Sequence, residues 1–163
     1  MNGGIPDGEK LFGISADFGG GRQCERMLLP LRRLFWKCVE SMRAVHYLDG
    51  LARFELWLYF GGAILDYEGE SGPARLATGR NPPRLIVDLR IARSDYEGKT
   101  QEEVRRHFAD GVEACFALLL GRALKKKAVR DEARLRADFA AAMQRFRTEP
   151  IPPFVPLGTP QYL

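Results

Sequence analysis

Long apolar runs are missing from this chain: nothing in it approaches the ~18 consecutive apolar residues of a membrane-spanning helix, so no membrane partner is expected. Strong metal ligands are scarce. There are two histidines, His46 and His107, and three cysteines, Cys24, Cys38 and Cys115, with no Cys-x-x-Cys spacing. A structural zinc site wants four such ligands, so neither a metal nor a cofactor is expected. An odd number of cysteines also argues against a disulfide framework. Cys38 and Cys115 fall within apolar stripes, as small hydrophobes do, which fits a reducing cytoplasm. The opening stretch "MNGGIPDGEKLFGISADFGGGR" lacks a basic start followed by an apolar core, so it is not read as a signal peptide.

A phosphate loop is missing as well. "ESGPARLATGRNPPRLIVDLRI", Glu70 to Ile91, is rich in glycine, proline and arginine, but no lysine followed by Ser or Thr and no helix start completes it. "GISADFGGGR" has clustered glycines without an apolar strand before them. Both read as connecting segments.

What is present suits one domain spanning 1–163: 163 residues, 45% hydrophobic and 28% charged. The net charge of +4 is unevenly spread. Nine basic and three acidic residues lie between Gly121 and Arg147, whereas Met1–Leu120 holds sixteen basic and seventeen acidic ones. The basicity belongs to one segment, which weakens the case for a domain-wide nucleic-acid surface.

Residues 1–22 read as a glycine-rich, irregular N-terminus. "PLRRLFWKCVESMRAVHYLDG" reads as a helix with an apolar stripe of Leu31, Leu34, Phe35, Cys38, Met42 and Val45. Pro30 would sit in its first turn, and Asp49-Gly50 would mark its exit. Phe54, Leu56, Leu58 and Phe60 alternate with Glu55, Trp57 and Tyr59, the period of a strand. Gly61-Gly62 suggests a two-residue hairpin turn, with a return strand over Ala63 to Glu68. "ARLAT" and "PPRLIVDLRIA" are further strands. Thr100 and Glu103 form a capping box, opening a helix with Val104, Phe108, Val112, Cys115 and Leu119 on one stripe. Gly111 weakens that helix slightly. A last amphipathic helix runs through Leu135, Phe139, Met143 and Phe146. The tail, 148–163, carries five of the ten prolines and should be extended, draped on the body or disordered. The expected class is therefore α+β: an N-terminal helix, a small antiparallel sheet of three or four strands, then two C-terminal helices packed on one sheet face.

Several residue groups invite a chemical reading. His107, Asp110 and Glu113 share a helix face but lack a second strong ligand. Cys115 could pair with His46 or His107 as a nucleophile, though its place on the buried stripe argues against an exposed thiolate. Asp66, Glu68, Glu70 and Asp88 could gather near one side of the sheet; acid–base chemistry needs carboxylates in distinct environments, and a solvated face is the simpler reading. No enzyme is expected.

The second sheet face is more suggestive. If Phe54, Leu56, Leu58 and Phe60 meet the helices, then Glu55, Trp57 and Tyr59 turn away from them, and Asp66, Glu68, Asp88 and Arg90 are expected to join them. Aromatics set among charges are the composition of a protein-binding hot spot. A second helix layer over the same residues would make Trp57 and Tyr59 core, and both readings stand. The basic segment "GRALKKKAVRDEARLRADF" offers an alternative, a nucleic-acid-binding module. Lysines at a helix end also complement its dipole, and the following charges are mixed in sign, as on a solvated face.

The runs "FELWLYFGGAILDYEGESG" and "RLIVDLRIARSDYEGKTQEEVRRHFADGVEACFALLLGRALKK" resemble the small α+β immunity proteins of bacterial polymorphic toxin systems. The likeness lies in an aromatic hairpin, a "VDL" strand, an acidic-aromatic-glycine turn (Asp95, Tyr96, Gly98) and a long helix ending in lysines, over roughly Ala52 to Lys127. It implies a cytoplasmic, non-enzymatic protein that binds a cognate toxin domain and occludes its active site. Because this chain is basic, that toxin need not be a nuclease, or an acidic sheet face must do the steering locally.

Overall fold

The computed structural model describes residues 8–17, 22–60, 74–77, 79 and 82–156. Its elements, in order, are β1 (Phe12–Asp17), α1 (Arg22–Val39), a 3-10 turn (Ala44–His46), β2 (Phe54–Phe60), β3 (Arg75–Ala77), β4 (Arg84–Ile91), a second 3-10 turn (Arg93–Asp95), α2 (Gln101–Lys125) and α3 (Glu132–Thr148). The class is α+β, as expected, but the sheet is mixed, not antiparallel. Its order is β1-β2-β4-β3, with β1, β2 and β4 mutually parallel and only β3 antiparallel to β4.

β1 corrects the reading of residues 1–22 as irregular. Phe12, Ile14 and Ala16 point to one face and alternate with Gly13 and Ser15. Gly13 lies under a crossing side chain: a Cβ there would sit 3.0 Å from Arg53 Nε, so the arginine would have to give way slightly. The proposed hairpin partner of β2, Ala63 to Glu68, lies outside the described residues. Both edges of β2 are nevertheless taken, by β1 from Phe54 to Tyr59 and by β4 from Phe54 to Phe60.

α1 starts well before Pro30 and ends at Val39, so the proline is inside the helix and buried, not in its first turn. An internal proline costs about 3 kcal/mol. Burial of Cys24, Leu28, Leu29, Leu31 and Leu34 along the same helix, at ~2 kcal/mol for a large apolar side chain, outweighs it. Beyond Val39 the backbone leaves the helix, so Met42 is buried from a loop, whereas Val45 is 51% exposed and no part of a stripe.

All three helices are tied to the same sheet face by aromatic rings. Phe12 of β1 meets Phe35 of α1 at 6.1 Å, Phe116 of α2 at 6.4 Å and Phe139 of α3 at 5.8 Å. Phe116 and Phe139 stack at 3.8 Å, joining α2 to α3. The capping box of α2 forms: the Glu103 amide donates to Thr100 Oγ1 and the Thr100 amide to Glu103 Oε1. Gly111 has a role its helix propensity hides, since a Cβ there would sit 2.7 Å from Leu89 Cδ1; the missing side chain lets α2 lie close on β4. Arg105, 7% exposed, reaches from α2 to the carbonyl oxygens of Phe146, at 3.2 Å, and Glu149, and so closes the C-terminal end of α3. Glu102 holds the other side of its guanidinium. After α3 the described part of the tail is extended and lies on the body: Ile151 packs on the core and Arg26 sits over the Phe154 ring.

Candidate binding face of the sheet

The parallel register fixes which side chains share the face away from the helices. Residues paired across a ladder point to the same side. The rows are therefore Gly13–Glu55–Ile86, Ser15–Trp57–Asp88 and Tyr59–Arg90, with Arg75 beside Ile86 and Ala77 beside Arg84. The register thus brings together Glu55, Trp57, Tyr59, Asp88 and Arg90. Asp66 and Glu68 lie outside the described residues, as does Glu70.

The face is organised around two carboxylates, and both are buried: Glu55 is 5% exposed and Asp88 8%. Arg53 donates to Glu55 Oε2 from Nε at 3.0 Å and from Nη2 at 2.9 Å, and Arg84 adds its Nη1. The Trp57 indole N–H donates to Oε1 at 3.0 Å. Burial alone would push the Glu55 carboxyl up. The hydrogen bonds from Trp57, Arg53 and Arg84 outweigh it and hold the group below its usual range. Asp88 accepts from both terminal nitrogens of Arg75 at 3.2 Å, a fork-on-carboxylate pairing, and Arg90 Nη2 stands 3.6 Å from it. The Arg75 guanidinium also lies over the Trp57 ring, 4.8 Å from its centre.

Reading the strand period alone finds Glu55, Trp57, Tyr59, Asp88 and Arg90, but it misses the arginines that hold them. Arg84 was legible, four residues before Asp88 and so on its face. Arg75 was not, since its place depends on a short strand running opposite to the rest. Arg53 precedes its strand and reaches Glu55 across Gly13.

The other candidate groups do not converge. His107 Nε2 faces Asp95 at 3.4 Å, while Asp110 and Glu113 both accept from Arg147, at 2.7 and 2.8 Å. Among the described residues no three His, Cys, Asp or Glu side chains gather as a metal site would require. Cys115 is fully buried, its Sγ 3.8 Å from the Asp88 carbonyl oxygen. Burial also pushes the Cys38 thiol up, away from thiolate. In the basic segment the α3 arginines are answered locally: Arg136 by Glu132, Arg134 by Asp138 and Arg145 by Glu149. No helix among the described residues is long and apolar enough to cross a membrane.

No protein-family model matches the chain, and no curated protein or solved structure is significantly similar to it.

Proposed function

We propose that this chain is a bacterial cytoplasmic immunity protein, which neutralises a cognate toxin domain by covering its active site with the β2–β4 face. One observation carries the reading. Trp57 and Tyr59, both half-buried, stand on the sheet face opposite the three helices, framed by a fixed network of arginines and carboxylates. Large aromatics with arginine are the side chains that dominate protein–protein binding energy, and a network of interlocked forks holds them rigid before a partner arrives, which lowers the ordering cost of binding. The reading needs no catalytic group.

The alternative, nucleic-acid binding by the basic C-terminal segment, is weakened by the local pairing of the α3 arginines. It keeps Arg122, Lys125, Lys126 and Lys127 at the end of α2. Co-expression with the product of the neighbouring upstream gene tests the proposal. Rescue from toxicity and a complex that survives purification are expected, and Trp57→Ala with Tyr59→Ala should abolish both. A neighbour that is harmless and never co-purifies would overturn it.

A further inference from the structure

We propose that the cleft between α2 and the connection leading into it binds a small zwitterion, a free dipeptide, by its terminal carboxylate and ammonium. The cleft has a volume of about 340 Å³, at the lower end of the range for ligand pockets. One wall is α2: Glu103, Arg106, His107 and Asp110 recur at steps of three and four and so share a helix face. The other wall is the connection after β4, which supplies Asp95 and Lys99. Both walls are anchored. Tyr96, between Asp95 and Lys99, is 2% exposed, and Phe108, beside His107, is fully buried. Asp95 is held in place by the Ala92 amide, which donates to its Oδ2 at 2.8 Å.

The charges fall into two groups. Lys99 and Arg106 flank Glu103, whose carboxyl is held below its ordinary range first by the Thr100 amide and hydroxyl and then by these two cations. Glu103 is committed to the helix cap, accepting from the Thr100 amide at 2.8 Å. Neither Lys99 nor Arg106 takes part in an ion pair among the described residues. Asp95 and Asp110 stand beside His107, the first 3.4 Å from its Nε2 and the second three residues further along α2. Asp95 uses its Oδ2 for Ala92 and His107, and Asp110 uses its Oδ1 for Arg147. An ionised carboxylate accepts on both oxygens, so each acid can take a further donor.

This arrangement selects against ligands of one sign. A lone anion would meet Lys99 and Arg106 but also the like charges of Asp95 and Asp110, and a lone cation would meet the reverse. A zwitterion sets its carboxylate on the cations and its ammonium on the acids. The spacing sets its length. Arg106 and Asp110 are separated by four residues of helix, ~6 Å at 1.5 Å per residue. A two-residue chain spans at most about 7 Å, and a single residue at most about 3.6 Å.

Amide chemical-shift titration of the full chain with diglycine tests the proposal, alongside N-acetyl-diglycine, diglycine amide and inorganic phosphate. Diglycine should shift the amides between Ser94 and Asp110 saturably. The acetylated and amidated forms, each left with one charge, should bind about tenfold more weakly, since each lacks one charge-assisted contact. Arg106→Gln and Asp95→Asn should each weaken diglycine by a similar factor, whereas Lys125→Gln on the far end of α2 should not. Circular dichroism melts establish that each variant folds. The Asp95→Asn amide oxygen can still accept from Ala92, and Arg106 is exposed, so Arg106→Gln reads the effect even if Asp95→Asn unfolds. No saturable shift, equal or tighter binding of phosphate or of either one-charge derivative, or indifference to Arg106→Gln would each overturn the proposal. Toxin binding by the sheet face uses none of these residues, so either result stands without the other.

Discussion

Replacing Glu55 by glutamine keeps the side chain's shape and removes its charge. The amide oxygen can still accept from Trp57, but Arg53 and Arg84 lose the carboxylate they both bind. Breaking a fully buried ion pair from one side costs ~3–5 kcal/mol. Here the arginine side chains are 28% and 25% exposed, against 7% for Glu55, so water takes up part of the loss. A destabilisation of about 2 kcal/mol follows, since a hydrogen bond to a charged group contributes roughly 1.5–3 kcal/mol. The pH dependence is the sharper test. Hydrogen bonds hold the folded Glu55 carboxyl below its ordinary value, despite burial acting the other way. Its contribution is therefore present above the unfolded value, about 4.3, and is lost as pH falls through the lower folded one. Urea unfolding followed by circular dichroism at pH 7, and again in steps through the acid range, should show the gap between wild type and Glu55→Gln narrowing with acid. A gap under about 0.5 kcal/mol at neutral pH, within the range of ordinary surface substitutions, would refute the reasoning, as would a gap that stays constant in acid.

Gly111→Ala gains about 1 kcal/mol of helix propensity but drives a methyl group against Leu89. It should destabilise the wild type and stabilise a Leu89→Ala background, with a coupling of about 1–2 kcal/mol in a double-mutant unfolding cycle; additivity would mean that α2 does not lie on β4 as described. Arg105→Lys should cost about 2 kcal/mol and release the amides of the last turn of α3 to hydrogen exchange, because a lysine cannot span two carbonyls and Glu102 at once. Tyr47 donates to Asp138 Oδ2 at 2.7 Å, and burial together with that bond pushes its phenol up to about 12. Its stabilising contribution is therefore intact below the unfolded value of about 10 and is lost as pH climbs toward the folded one. Tyr47→Phe should flatten that alkaline decline in thermal melts, and an unchanged slope would count against the bond.

Sequence periodicity reads side-chain direction well. It located β2, β4, α2 and α3 and the shared face of Glu55, Trp57, Tyr59, Asp88 and Arg90. It reads pairing badly, because a two-residue period is the same in parallel and antiparallel ladders. The double glycine after Phe60 suggested a turn, yet the partners of β2 come from Phe12 and Leu85, far along the chain on either side. Gly13 fell in a stretch read as irregular but lies within β1, and the propensity reading of Gly111 leaves out its close approach to Leu89. Pro30 misplaced the start of α1 because local preference outranks burial only when nothing is buried. The burial of Glu55 and Asp88 was hidden for a related reason: their compensating arginines lie on other strands or before the strand begins.

Three mutually parallel strands have a kinetic consequence. No tight turn can zip β1 onto β2, or β2 onto β4; each ladder must first close a loop of tens of residues, with its entropy lost before any contact rewards it. Chains of that topology fold slowly for their size. The α2–α3 hairpin, with its stacked Phe116 and Phe139, is the local unit able to form early. Until the strands collect on it, Phe12, Phe54 and Leu85 wait with their apolar faces open, the state in which a newly made chain is most prone to aggregate.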